Sequence, residues 1–325
     1  MARIFITGGS GFVGRNLIRA LVQRGDEVIA LGRSPKARLI VEELGALAAH
    51  GELDDVDALR EGMQGCESVI HAAALAAEWG PKNDFERFNV RGTQHILQAA
   101  QAAGVKSLVH ISTEAVMADG GPMTNLDESQ PLPRKPLPRY ADSKGRAEVA
   151  VRQANSDTLR TVVLRPRMIW GKDDSTLLPA FAEAVEQGRF MWIAGGDYLC
   201  STTHVDNVVE AVLLALEKGR GAEVYYISDG EPVPFKDFLS KLLASRGIAA
   251  PSKSLPRWLA WRLAQLCESL WDRLGIHKPP PISRFVVAVI GQSVTVNDQK
   301  ARQELGYTGH ISREAGLADL ENWQT

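Results

Sequence analysis

The sequence predicts an α/β protein: a doubly wound parallel sheet with helices on both faces, followed by a smaller C-terminal part. Three observations carry this. Short apolar runs alternate with amphipathic stretches of helical period through the first half of the chain. A glycine-rich turn, Thr7-Gly8-Gly9-Ser10-Gly11-Phe12-Val13-Gly14, joins the first such pair. Beyond about Trp170 the alternation gives way to a less regular pattern with a Pro- and Trp-rich stretch from Pro251 to Phe285.

Taken in order, Ile4–Thr7 reads as a strand and Phe12–Arg24 as its helix. Glu27–Leu31 is a second strand, Ser68–Ile70 a further one, and Phe85–Ala103 a long helix. Val105–Ile111 is a strand, Tyr140–Gln153 a helix and Thr161–Arg165 a strand. Residues 1–170 are therefore expected to form the nucleotide-binding unit. Residues 171–325 are expected to be mainly substrate-binding, with 200–230 returning to the main sheet through the helix Val205–Leu216 and the strand Glu223–Ile227.

Composition narrows the function. The 325 residues are 45% apolar, enough for a large core, and the net charge of −2 with no basic block argues against a nucleic-acid partner. Cys66, Cys200 and Cys267 are scattered and fit a reducing compartment; nothing has metal-ligand spacing, so no metal is expected. The chain enters Arg3-Ile4-Phe5-Ile6 at once, which predicts no signal peptide and a cytoplasmic protein.

Two motifs carry the chemistry. Glycines after a first strand allow a tight turn and close approach of backbone to a dinucleotide pyrophosphate, whose charge the helix N-terminus favours. The spacing here is Gly8, Gly11, Gly14. Where an acid for a ribose 2′-hydroxyl is usual, at the end of strand two, stands Arg33, which suits a 2′-phosphate. Lys36 and Arg38 lie close by and read as solvated surface charges. Far along the chain, Tyr140-Ala-Asp-Ser-Lys144 sets a phenol and an ammonium on one helix face. A carbonyl that receives a hydride needs a proton donor. A nearby ammonium should lower the phenol's pKa for that task. Thr113, at another strand end, can offer a hydroxyl to the substrate oxygen, or simply cap the strand.

With these residues in place the sequence strongly resembles the extended short-chain dehydrogenases/reductases. The matching pieces are the glycine turn, His71-Ala72-Ala73-Ala74, Asn89-Val-Arg-Gly-Thr93, Ser112-Thr113 with Val116, Tyr140-x-x-x-Lys144, Arg165-Pro166, His204-Val-Asp206 and Ala301–Tyr307. The resemblance implies a Rossmann-type fold with Thr113, Tyr140 and Lys144 as the catalytic trio. Lys144 would also touch the nicotinamide ribose, and Asn89 would support it through a water relay. Gly8, Gly11, Phe12, Val13, Gly14, Arg33, Leu53, Ala72, Ala73 and Pro166 would join Tyr140 and Lys144 around the cofactor, with NADP(H) preferred and NAD(H) usable. Thr113, Arg167 and Trp170 are expected at the substrate. The chain departs from the pattern in having Thr113 for the commoner Ser, Gly51-Glu52-Leu53 for Gly-Asp-Leu, and Trp170 for Tyr.

Within the family, Trp79-Gly80, Arg165–Gly171 and Pro279–Arg284 look most like the 3β-hydroxysteroid dehydrogenase branch, with its sterol-carboxylate dehydrogenases and 2-alkyl-3-ketoacid reductases. That implies a secondary alcohol or ketone on an apolar small molecule. The leucines and tryptophans from Leu255 to Leu274 recur at helical spacing and could roof an apolar pocket, lie on a membrane surface as a peripheral contact, or pack on the core. The helices Phe85–Ala103 and Tyr140–Gln153 resemble those that pair across homodimers of the family. Two rival functions remain: a sugar-nucleotide epimerase or dehydratase of the same family, and a non-catalytic NADP-binding regulatory protein.

Overall fold

The computed structural model describes residues 1–322. Seven parallel strands form the main sheet: β1 (Arg3–Thr7), β2 (Glu27–Gly32), β3 (Leu47–His50), β4 (Ser68–His71), β5 (Ser107–Ile111), β6 (Arg160–Pro166) and β7 (Glu223–Ile227). Their spatial order is β7-β6-β5-β4-β1-β2-β3. The strands are apolar on both faces because helices cover both. On one side α1 (Phe12–Gln23) brings Leu17, Ile18 and Leu21 to the sheet, beside Val208 and Val212. On the other lie α3 (Val56–Gly62), α5 (Gly92–Ala102) and α6 (Tyr140–Gln153), through Leu59, Ile96 and Val151. The strand order reverses between β1 and β4, and such a switch point leaves a crevice at the carboxyl ends of the strands.

The sequence reading passed over the segment between β2 and β4, which holds α2 (Pro35–Glu43), β3 and α3. β3 is an edge strand with both ends exposed, so it lacks the apolar signature of its neighbours. The long helix expected over Phe85–Ala103 begins earlier, as α4 (Lys82–Phe85), and passes through a π-turn at Glu86–Arg91 before α5.

After β6 the chain builds a second layer over the crevice. It contains α7 (Leu177–Glu186), α9 (Phe235–Ala244), α10 (Arg257–Leu274) and α11 (Arg284–Ile290), with a small sheet ordered Val233–Pro234, Leu199–Cys200, Val294–Val296, Met123–Leu126, whose last strand is contributed from before β6. Between α7 and α9 the helix α8 (Val205–Lys218) and the strand β7 rejoin the main sheet. Residues 323–325, the end of the expected substrate-binding range, lie outside the described residues.

Candidate active site

The carboxyl ends of β1, β4 and β5 floor a cavity of about 970 Å³. Its inner rim is the glycine turn: Gly8, Gly11, Phe12, Val13 and Gly14 all line it. Gly8 has φ +73, and a Cβ there would stand 2.8 Å from the backbone nitrogen of Ala73. A Cβ at Gly14 would meet the Gly8 carbonyl oxygen at 2.1 Å. Helix α1 starts at Gly11 with no side-chain cap, leaving its first N–H groups open. This is a backbone cradle for an anion, and the donor set fits a dinucleotide pyrophosphate.

Thr113, Tyr140, Lys144, Ala72 and Pro166 line the same cavity, so the fold gathers the expected trio beside the cradle. Tyr140 opens α6 directly after Arg139, a non-glycine residue held at φ 71. Arg139 is buried, stacks 3.4 Å from the Trp79 ring centre and donates from Nε to the Gly80 carbonyl. Such strain at a helix start fixes the Tyr140 backbone. Lys144 is 2% exposed. Its Nζ donates to the Ile111 carbonyl at 2.7 Å and to His110 Nε2 at 3.2 Å.

The electrostatics differ from the sequence expectation. Burial dominates Tyr140 and raises its phenol far above the ordinary value; the Glu114 carboxylate adds to this, and the Thr113 hydroxyl opposes it. Lys144 does not lower it here, because its ammonium is turned onto the end of β5. Burial also brings Lys144 down to about 8, with Glu148 pulling the other way.

Beneath these groups lies a buried polar network that the register explains: Thr7 pairs with His71, and His71 with His110, across β1, β4 and β5. Burial and the Lys144 charge keep His71 neutral, down to about 3, and His110 well below its usual value. Proton positions follow by accounting. Thr93 donates to the Asn89 carbonyl, so His71 Nε2 must donate to Thr93. His71 Nδ1 then accepts from Thr7, whose oxygen accepts the Ala73 N–H. His110 accepts from Lys144 at Nε2, leaving its proton on Nδ1, which is buried without a partner.

Asn89 sits in the π-turn, a device common at functional sites. Its amide bonds both polar groups of the Leu75 backbone and the Ser143 hydroxyl, tying the loop after β4 to α6. Thr113 caps the short helix Glu114–Met117 through the Ala115 N–H and donates to Glu114 Oε2 at 2.9 Å.

Two expected substrate residues are corrected. Arg167 is 4% exposed and outside the cavity lining: it pairs with Glu114 at 3.0 Å and donates to the Val289 carbonyl. Trp170 is fully buried on the far side of its strand. It donates to Asp229 and packs edge-on against His204 and Phe238. Strand alternation puts its neighbour Ile169 in the cavity instead, and Met168, just before the strand at φ 46, lines it too. Arg33 is exposed and Leu53 half-buried; neither lines this cavity, and Ala73 backs onto Gly8. Arg38, read as a solvated charge, packs its stem on Gly32 and buries an Nη1 with no partner at the end of β2.

The outer wall is aromatic and aliphatic: Phe181, Phe190, Trp192, Tyr198 and Phe285 face inward. No sequence motif marks them, because they come from separate elements. The Leu/Trp stripe divides. Leu255 and Leu263 reach the cavity. The contact of α10 with the core is made by Ala260, Ala264 and Glu268, while Trp258, Leu266, Leu270 and Leu274 face outward.

Residues 5–257 match the model of the 3-beta hydroxysteroid dehydrogenase/isomerase family. The chain belongs to that family. It is 48% identical over 318 residues to a 4-hydroxy-2-methyl-3-oxo-4-farnesyl-3,4-dihydroquinoline-1-oxide ketoreductase of Stigmatella aurantiaca, covering 98% of this chain and 95% of that one. It is 35% identical to a 2-alkyl-3-oxoalkanoate reductase of Stenotrophomonas maltophilia, covering 98% of each. Among solved structures, dTDP-glucose 4,6-dehydratase from Streptomyces venezuelae with NAD bound superposes with a TM-score of 0.75 at 25% identity, over 99% of this chain and 96% of that one. Family membership makes the chain a nicotinamide-dependent oxidoreductase acting on CH–OH/C=O groups. Among the described residues no helix is long and apolar enough to cross a membrane.

Proposed function

We propose that this protein reduces the ketone of an apolar 3-keto compound, steroid-like or long-chain, to a secondary alcohol with NADPH, and runs the reverse oxidation. The observation that carries the reading is the meeting of Thr113, Tyr140 and Lys144 with the glycine cradle in one apolar cavity. A bound dihydronicotinamide supplies the hydride. The chain's own residues manage the proton. Burial keeps Tyr140 protonated, so it can donate to the carbonyl oxygen as negative charge develops there. Thr113 would position that oxygen by turning its hydroxyl proton from Glu114 Oε2 to the substrate. Lys144, held on the end of β5, offers its remaining N–H to the nicotinamide ribose. Asn89 completes the support behind Lys144. In this division residues 1–170 hold the cofactor and the later residues mainly the substrate.

Arg33 and the unpartnered Nη1 of Arg38 flank the end of β2 and favour a 2′-phosphate. Arg33→Asp should weaken NADPH binding by about 1.5–3 kcal/mol, read by fluorescence titration; equal or better wild-type kcat/KM with NADH would refute the preference. Gly8, Gly11, Gly14, Ala72 and Pro166 belong to the same cofactor set, with Leu53 and Ala73 behind it.

The deciding assay is NADPH oxidation with neutral 3-keto compounds beside UDP-glucose and dTDP-glucose. Turnover of ketones alone is expected. Among the described residues only two cationic side chains, Lys144 and Arg189, line the cavity, too few for a nucleotide diphosphate in addition to the cofactor's own. Turnover of a nucleotide sugar would move the assignment to the epimerase and dehydratase side of the fold.

Two further readings concern partners. An apolar groove beside α6, with Val90, Val116, Leu132 and Val149 in its wall, supports a homodimer through α5 and α6; a monomer mass at micromolar concentration would count against it. The outward Trp258, Leu266, Leu270 and Leu274, flanked by Arg262 and Arg273, support a cytoplasmic enzyme that touches membrane surfaces at the cavity mouth. Failure to float with anionic vesicles would remove that contact.

A further inference from the structure

One acidic side chain interrupts the cavity wall. The loop after β4 enters the cavity with Ala76, Ala77 and Glu78. Besides Glu78, the charged residues lining the space are Lys144 and Arg189. Lys144 is committed to the end of β5. The Arg189 side chain is 63% exposed and pairs with Glu183. Among the described residues no cation pairs with Glu78, which sits half-buried in the wall.

Its partners are few. Glu78 Oε2 accepts from the Ser283 hydroxyl at 2.8 Å. That hydroxyl is also committed on its other side, accepting the Val286 N–H at the start of α11. Among the described residues no second donor reaches the carboxyl group. A carboxylate has about four acceptor positions, so most remain unfilled. The Glu78 loop is held at both ends. Asn89 takes both polar groups of the Leu75 backbone, Arg139 takes the Gly80 carbonyl, and Trp79 Nε1 donates to the Ile276 carbonyl. These anchors hold the backbone on both sides of Glu78. Burial and the neighbouring Glu268 push its pKa up, against the Ser283 bond. A half-buried, partly paired acid bears part of the cost of desolvation, which a ligand group that completes it relieves. Arg139 in the loop's anchor precedes Tyr140, and Phe285, two residues after Ser283, packs edge-on against Tyr140 with ring centres 5.7 Å apart. Glu78 thus faces the space in which the reacting ketone must lie.

We propose that Glu78 selects the substrate: its open oxygen accepts a hydrogen bond from a hydroxyl or N–H group of a neutral apolar ketone, and its carboxyl disfavours ketones that carry a carboxylate. This rests on the ketone-reductase reading above. It commits that reading to a neutral, hydrogen-bond-donating substrate rather than a 3-keto acid.

The test compares ratios within each enzyme, so that a general loss of activity cancels. The probes are a neutral ring or alkyl 3-ketone, its analogues with one hydroxyl at successive positions, and a 3-oxo carboxylate of equal carbon count. Each is assayed by kcat/KM with NADPH for wild type, Glu78→Gln and Glu78→Leu. In the wild type one hydroxyl analogue should exceed the parent ketone by about tenfold, and the carboxylate should fall below the parent. Glu78→Leu should erase the hydroxyl preference. Glu78→Gln keeps an acceptor without the charge, so it should retain much of that preference while the carboxylate gains on the parent. Binding of NADPH to each variant confirms that it is folded. The inference is overturned if no hydroxyl analogue surpasses the parent, or if both ratios survive in Glu78→Leu. A wild-type enzyme that reduces the parent ketone without discrimination defeats this inference alone. One that reduces no ketone defeats the ketone-reductase reading as well.

Discussion

The floor of the cavity is polar, and nearly every donor in it is matched; its outer wall is apolar and held by shape. Beneath the floor, Thr7, His71, Thr93, Asn89 and Ser143 form a chain in which each proton has one place to go. Removing a member leaves a buried polar group unpaired, which is why such networks tolerate little change. On the outer wall, Phe181, Phe190 and Trp192 meet edge to face or tilted around Phe235, where similar volumes can replace one another at modest cost. The difference suits an enzyme that keeps its chemistry and varies its substrate.

The comparison can be broken first at the layer behind the outer wall. Trp170 lies outside the cavity lining; its ring fills the space between His204 and Phe238 and its Nε1 bonds Asp229. Asp229 also accepts from Thr202 and from Asn207. Trp170→Ala should therefore cost about 3–5 kcal/mol of stability, seen as a lowered urea midpoint. An unchanged midpoint would mean that this layer is not the rigid support described.

The floor is tested by Tyr140→Phe, which keeps the ring against Phe285 and deletes the proton. Turnover should drop on the order of 10² or more while cofactor affinity is nearly unchanged. Near-wild-type turnover would remove Tyr140 from the chemistry.

These two residues also mark what the sequence could and could not tell. Tyr140 and Lys144 belong to a local helical spacing, and the glycine turn to a strand-to-helix junction. Both are short-range patterns, and the structure brings both to the cavity. Trp170 lies in a two-residue strand, too short for alternation to reveal which face is which, so it was expected on the wrong side. Arg167 was misplaced for a related reason. Its partner, Glu114, is distant in sequence and gives no signal that the charge is already matched. The main sheet was legible because its buried strands are continuously apolar; β3 and the short elements after β6 are not. The Leu255–Leu274 periodicity was real, but its phase against the core was set by Ala260 and Ala264, which a search for large apolar residues passes over.

A third test uses pH. Burial brings Lys144 down to about 8, so its ammonium is present below that pH and lost as pH rises through it. If the charge helps hold the cofactor ribose, NADPH affinity should be flat from pH 6 to 7.5 and fall by up to about tenfold per unit well above 8, until the loss is complete. The decline should vanish in Lys144→Met, which has no proton to lose. A wild-type affinity flat to pH 10 would show that the ammonium is not titrating there or does not touch the cofactor.

The smallest effect sharpens the account of the outer wall. If the aromatic wall binds substrate by burial alone, each added methylene that reaches it should contribute about 0.8 kcal/mol, or about fourfold in kcat/KM. The gain should continue while the chain lies against the aromatic wall, then stop where the alkyl end reaches past it. Substituting Phe181→Leu should shift that limit with little change in stability, because the side chain is only partly buried. The measurement is kcat/KM along a series of 3-keto compounds of growing alkyl length. A flat response would mean that the wall excludes water without gripping the substrate, and that selection rests on polar contacts at the floor.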